Sequence, residues 1–241
     1  MYFKYIKYSY FFGLVLSCSI AVMLLLACDS KTVDPDYSRT GYDYYPLENG
    51  IFRVYQVKEI IYNILSPPDT NYFQLKEIIS DSFTDSAGEI NYVIQRLKRA
   101  NDNEDWQPDS IWSTYRNNFQ AVLNKNNILV LKLVFPFMED IRWDANSLNT
   151  KNQDDYKMTN LFAPYLLGDT NFNSTVTVIQ EENLDSLIFF DYRLEVYAQN
   201  IGLIDKIDSR LKFCQENDCF GLKIINEGRH YKQTLIAYGV E

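Results

Sequence analysis

Between Ser186 and Ala198 the chain alternates: Ile188, Phe190, Tyr192, Leu194, Val196 and Ala198 fall on one face, and Asp191, Arg193 and Glu195 on the other. Successive side chains of a β-strand point to opposite faces, so this period of two predicts a strand whose apolar face is buried and whose charged face is wet.

The pattern recurs along the chain. Ile51 to Asn63 reads as a first long strand, which Ser66-Pro67-Pro68-Asp69-Thr70 breaks because proline cannot donate to a ladder. Tyr72 to Phe83, Glu89 to Lys98, Ser110 to Arg116, Phe119 to Leu123 and Ile128 to Phe135 follow, separated by turns rich in Asn, Asp and Gly. Regularity returns at Ser174 to Gln180 and continues through Leu203 to Phe213 and His230 to Val240. Residues 139–172 are the least regular part and predict a short helix or a long loop around a buried aromatic. Composition agrees with sheet: 19 Tyr and 15 Phe against 9 Gly. About ten strands joined by short turns predict an all-β or mainly β fold with antiparallel pairing. A sheet that long curls or splits, so a curved sheet, half-barrel or barrel is expected, with a two-sheet β-sandwich as the alternative.

The amino end carries a different signal. Lys4 and Lys7 precede an uncharged run from Phe11 to Ala27, the layout of a secretory signal. The run ends Leu25-Leu26-Ala27-Cys28, followed at once by Asp29, Ser30 and Lys31. This resembles the bacterial lipoprotein signal, in which the chain is cut before the cysteine and the thiol is lipidated. The competing reading is an uncleaved membrane anchor. The resemblance implies residues 1–27 as a signal peptide, Cys28 as the lipidation site and the membrane as a partner through that lipid. Residues 28–43 then read as a flexible tether and 44–241 as a single β-rich domain. A cell-envelope address follows, with the outer membrane favoured over the inner. A second resemblance lies in the domain itself. Tyr44-Tyr45-Pro46-Leu47, Gly50, Phe52 and Val54-Tyr55, with Trp143-Asp144-x-Asn146 and Val196-Tyr197-Ala198 before Gly202-Leu203-Ile204, look like a group of uncharacterised lipoproteins common in Bacteroidota. It implies envelope location and β architecture, and no activity.

Little in the chain names a chemistry. The 23 Lys and Arg, less the two leader lysines, stand against 32 acids, a formal charge of −11 on the mature part. Such a chain has no electrostatic reason to bind nucleic acid. Lysine and arginine cluster only at Arg96-Lys98-Arg99, which reads as a solvated strand face. Cys214 and Cys219, with a polar turn between them, predict a disulfide in an oxidising compartment, worth about 2 kcal/mol on the loop-entropy model. No nucleophile elbow, phosphate loop, zinc pattern or dinucleotide fingerprint is present, and His230 is the only imidazole. Asp169-x-Asn171-x-Asn173 has calcium-loop spacing, but Ser174 and Gln180 replace the glycine and the glutamate that such a loop needs. No catalytic, metal or cofactor residues are assigned. Trp106, Trp112, Trp143, Phe162 and Tyr165 lie outside the clearest strand, and Trp143, Phe162 and Tyr165 are the candidates to face a ligand; the alternative is that the aromatics plug the ends of the sheet. The function expected is a non-catalytic binding or accessory role, toward a small apolar or carbohydrate ligand or an envelope protein. A carbohydrate-active hydrolase using two carboxylates is the alternative.

Overall fold

The structure is a computed structural model whose described residues are 40–184 and 186–241; the signal segment, Cys28 and the tether as far as residue 39 lie outside them. Its strands are β1 (Ile51–Asn63), β2 (Ser66–Thr84), β3 (Ile90–Arg99), β4 (Gln107–Arg116), β5 (Gln120–Lys125), β6 (Ile128–Val134), β7 (Arg142–Asp144), β8 (Asp155–Leu167), β9 (Thr170–Asn183), β10 (Phe189–Ala198), β11 (Gly202–Phe213) and β12 (Ile225–Val240). All belong to one sheet in the order β6-β5-β4-β3-β2-β1-β12-β11-β10-β9-β8-β7. Each strand is antiparallel to its neighbours in sequence, β12 returns to pair with β1, and only β6 and β7 do not form a ladder. The result is an up-and-down barrel, nearly closed, rather than a sandwich. Closure removes most of the edge that an open sheet would expose.

The seam between β6 and β7 is bridged sparsely. The Leu131 N–H donates to the Ala145 carbonyl at 2.9 Å. Trp143 Nε1 donates to the Leu131 carbonyl at 3.0 Å, and Asn149 Nδ2 to the Leu129 carbonyl at 2.7 Å.

Up-and-down order gives the barrel two distinct ends. At one end lie the turns after even-numbered strands, and there residues 40–47 form a plug. Gly41 has φ 85°, and a Cβ on it would sit 2.5 Å from the Phe137 ring, so only glycine fits beneath that ring. A short 3-10 helix, Tyr42–Tyr44, follows. Tyr44 is fully buried against Phe137 and Phe162, and its hydroxyl meets Ser174 Oγ at 2.6 Å. Arg116 donates to the carbonyls of Tyr42 and Tyr45, and the Asn200 N–H donates to the carbonyl of Asp43. Packing against the barrel therefore begins upstream of residue 44.

The structure corrects three details of the sequence reading. Arg193, Glu195 and Tyr197 point into the barrel and are 5%, 1% and 2% exposed, so the charged face of β10 is buried. Val196 and Ala198 lie on the outer face, yet are also covered, by Phe172, Tyr165 and Leu167 of the β8–β9 hairpin. Pro67 and Pro68 do not end a strand but open β2. They sit at the hairpin tip, where β3 has not yet begun to pair and no donor is required of them. Residues 155–167 are a strand, not a helix or loop. Its pattern is hidden by register shifts between Thr159 and Tyr165, with Asn160 and Phe162 at φ 54° and 57°.

Candidate functional site

The other end of the barrel is open. Lys98 is next to last in β3, Lys125 closes β5, Lys151 lies between β7 and β8, and Arg210 and Arg229 face each other on β11 and β12. All five are exposed and ring the mouth of a cavity of about 540 Å³ that runs down to Tyr45, Pro46 and Leu47 of the plug. The same rim carries exposed apolar tips, Ile64 and Leu65 between β1 and β2, and Phe220 and Leu222 between β11 and β12.

Alternation places the lining. Residues opposite one another across a ladder share a face, and the pairs Arg53–Glu77, Tyr55–Leu75, Glu77–Arg96 and Ile94–Trp112 carry the inner face round from β1 to β4. On the other side Glu195–Lys206 and Asp208–Tyr231 do the same from β10 to β12. The wall of β2 to β6 is apolar as well as charged: Leu75, Ile79, Ile94, Leu123 and Val130 line it with Trp112.

The charge balance of the lining is opposite to that of the chain. Nine Lys and Arg line the cavity against five Asp and Glu, whereas the chain as a whole carries −9. All five carboxylates are already paired. Glu77 and Asp109 both hold Arg96 at 3.1 Å, Asp154 holds Arg193 at 2.9 Å, and Asp208 holds Arg210 at 2.9 Å. Glu195 bridges Lys132 at 2.6 Å and Lys206 at 2.8 Å and accepts from the Tyr197 hydroxyl at 2.6 Å. Burial pushes the Glu195 carboxyl up, but the two ammonium groups outweigh it and hold the carboxyl well below its usual range. It is a fixed anion, not a proton donor.

Among the described residues, Lys98, Lys125, Lys151 and Arg53 have no carboxylate within ion-pair distance, although all four line the cavity. Arg53 is spent on the carbonyls of Ile201 and Pro46 at the plug. Two of the lysines rest on rings instead: Lys98 lies 3.8 Å from the Phe73 centroid and Lys125 4.8 Å from that of Trp112. The Arg96 guanidinium covers the same indole at 3.7 Å. Burial and then the like charges of Lys206, Arg96, Arg229 and Lys132 push the Lys125 ammonium below its usual range. Deeper in, Gln180 and Gln233 are 5% and 3% exposed, and the Nε2 of each has no partner among the described residues. Gln233 Oε1 accepts from the Tyr231 hydroxyl at 2.8 Å, and its NH2 is the unpartnered end.

The candidates named from the sequence fall elsewhere. Trp143 is buried at the seam, Phe162 packs with Tyr44 and Phe137 at the plug, and Tyr165 reaches outward to donate to Asp205 Oδ2 at 2.8 Å. None of the three lines the cavity; of the five aromatics singled out, only Trp112 does. The region around them contributes through other residues, Asn146, Lys151, Asp154 and Tyr156. Arg96 and Lys98 face the cavity rather than forming a solvated strand face. Asp169 to Asn173 runs from the β8–β9 turn into β9. His230 is on the outer face, its Nδ1 3.1 Å from Ser209 Oγ. Cys214 and Cys219 are bonded, with Cα atoms 5.8 Å apart, in the rim loop between β11 and β12.

No family model matches the chain, and no curated protein matches it. Three solved structures are similar to it. One is a Bacteroides fragilis protein described as exported and with a YmcC-like fold, at 10% identity and TM-score 0.40, covering 80% of this chain and 97% of that one. A second is a Parabacteroides distasonis protein described as a lipoprotein, at 10% identity and TM-score 0.39, covering 81% and 98%. The third is a Vibrio parahaemolyticus domain described as an outer membrane lipoprotein-sorting protein, at 12% identity and TM-score 0.21, covering 81% and 87%. All three scores lie below 0.5, so the barrel is argued from this chain's own ladders.

Proposed function

We propose that this chain is a lipid-anchored protein of the bacterial cell envelope whose barrel is a binding module and not an enzyme. One observation carries the binding reading: a cavity of about 540 Å³, plugged at one end and open at the other. That size falls in the range of small-ligand sites, on the order of 300–1,000 Å³. The first described residue stands at the plugged end, away from the mouth. The hydrolase reading needs one carboxyl kept protonated beside a second one that is ionised. The lining offers carboxylates held in ion pairs instead, and Glu195 is biased toward its charged form.

The anchor rests on Leu25-Leu26-Ala27-Cys28. Labelling of growing cells with a fatty-acid analogue is expected to tag the wild-type protein and not Cys28→Ala; equal labelling of both removes the anchor. For the cavity, the purified protein is incubated with small molecules extracted from the cell envelope and studied by native mass spectrometry. An adduct released on unfolding is expected, and it should be lost in Leu123→Trp, which fills the cavity from β5. An adduct that survives Leu123→Trp places binding outside the barrel and overturns the reading.

A further inference from the structure

We infer that the cavity takes an organic anion: a phosphate or carboxylate head group seated among the mouth lysines and the buried amide donors, with a ring or short apolar portion against Trp112 and its wall. The inference rests on the binding reading above and adds to it the chemical class of the ligand. Every lining carboxylate has a cation, so none of the carboxylates awaits a cationic ligand. What stands unpaired is all of the other kind. Among the described residues, Lys98, Lys125 and Lys151 lack a carboxylate, and the Nε2 groups of Gln180 and Gln233 lack an acceptor. A donor that the fold leaves without a partner is free to bond an acceptor supplied by a ligand. An oxyanion offers several lone pairs to amide and ammonium donors at once, which a neutral ligand of the same size does not. The lining's excess of four positive charges in an acidic chain works in the same direction, since low-dielectric walls focus such a field at the mouth.

A phosphorylated sugar and a phospholipid head group share this chemistry, and the test separates them. Trp112 lines the site, so tryptophan fluorescence of the full mature chain reports titrations. The probes are glucose 1-phosphate, glucuronate and glucose, and in parallel dihexanoyl phosphatidic acid and octyl glucoside. Binding of the anionic probe is expected in one series or both, at least roughly tenfold tighter than its neutral counterpart, and weakening as salt is raised. The series with the tighter anionic probe identifies the source. Lys125→Glu should weaken binding by roughly two- to fivefold for the lost attraction, and further for the new repulsion. Lys232→Glu makes the same change in net charge on the outer face, beside Lys58, and should leave affinity unaltered. Both positions are exposed, so both variants should fold. Neutral probes that bind as tightly as anionic ones, or equal loss in the two variants, overturn the anionic class and leave the binding reading standing. Binding of none of the five probes to the wild type overturns both.

Discussion

Glu195 is buried in the barrel yet ionised, and its neighbours explain why that is tolerable. A carboxylate removed from water is costly unless opposite charges and hydrogen bonds replace the solvent, and here Lys132, Lys206 and the Tyr197 hydroxyl do so. Removing the charge strands two ammonium groups. Glu195→Gln should therefore destabilise the fold by about 3–5 kcal/mol at neutral pH, measured by denaturant unfolding. The pH dependence has a definite sign. The folded-state value lies below the ordinary 4.5, so the stabilisation is fully present above 4.5 and is lost as pH falls through the lower folded value. The gap between wild type and Glu195→Gln should hold constant from neutral pH to about pH 5 and narrow under acid. A gap unchanged under acid would mean that the carboxylate's charge is not what stabilises. Adding Lys132→Met to Glu195→Gln should recover part of the loss, since it removes one of the stranded charges.

At the scale of elements, the sequence made the strands legible because alternation is a local property. It did not say which medium each face meets. The apolar face of β10 was the expected inner face, but a barrel with a polar interior and a hairpin folded over its outside reverses that assignment. Only the long-range pairing of the other strands decides it, and a single strand carries no trace of that. Prolines and bulges misled for a related reason: their cost depends on whether a neighbouring strand needs the missing donor. The Cys214–Cys219 pairing, by contrast, was readable from a short polar spacing and the expected compartment. That bridge pins the rim loop from Cys214 to Ile224, where the Cys214 N–H donates to the Ile224 carbonyl at 2.7 Å. Replacing both cysteines with serine should cost about 2 kcal/mol and leave the barrel folded. Hydrogen exchange should rise in residues 214–224 and stay unchanged in β1 and β12; loss of protection throughout would show that the rim loop nucleates the whole ladder.

For the whole molecule, the site was hidden because it is assembled from cations scattered over six strands and a loop, of which only Arg96 and Lys98 stand together in the sequence. Net charge gave no sign of it for the same reason: the acids dominate the chain while the cations dominate one concave surface. The barrel that brings them together depends on ladders at every strand junction but one. Between β6 and β7 a few bonds do the work of a full ladder, and two of them reach β6 from side chains, Trp143 and Asn149. Asn149 also donates to Asn146 Oδ1 at 2.9 Å, so it ties β6 to the segment that carries Lys151 and Asp154 at the mouth. Asn149→Ala removes both bonds and a third, accepted by Asn149 Oδ1 from the Lys151 N–H at 2.8 Å, and should cost about 1–2 kcal/mol. The informative reading is where the loss falls. If the seam opens as a local unit, exchange accelerates in residues 128–134 and 142–154 while β1, β11 and β12 keep their protection. If protection falls equally in all strands, the barrel opens only as a whole, and the seam is as cooperative as the ladders beside it. The sparse bonding argues for the first outcome, which would make this junction the route by which the cavity widens.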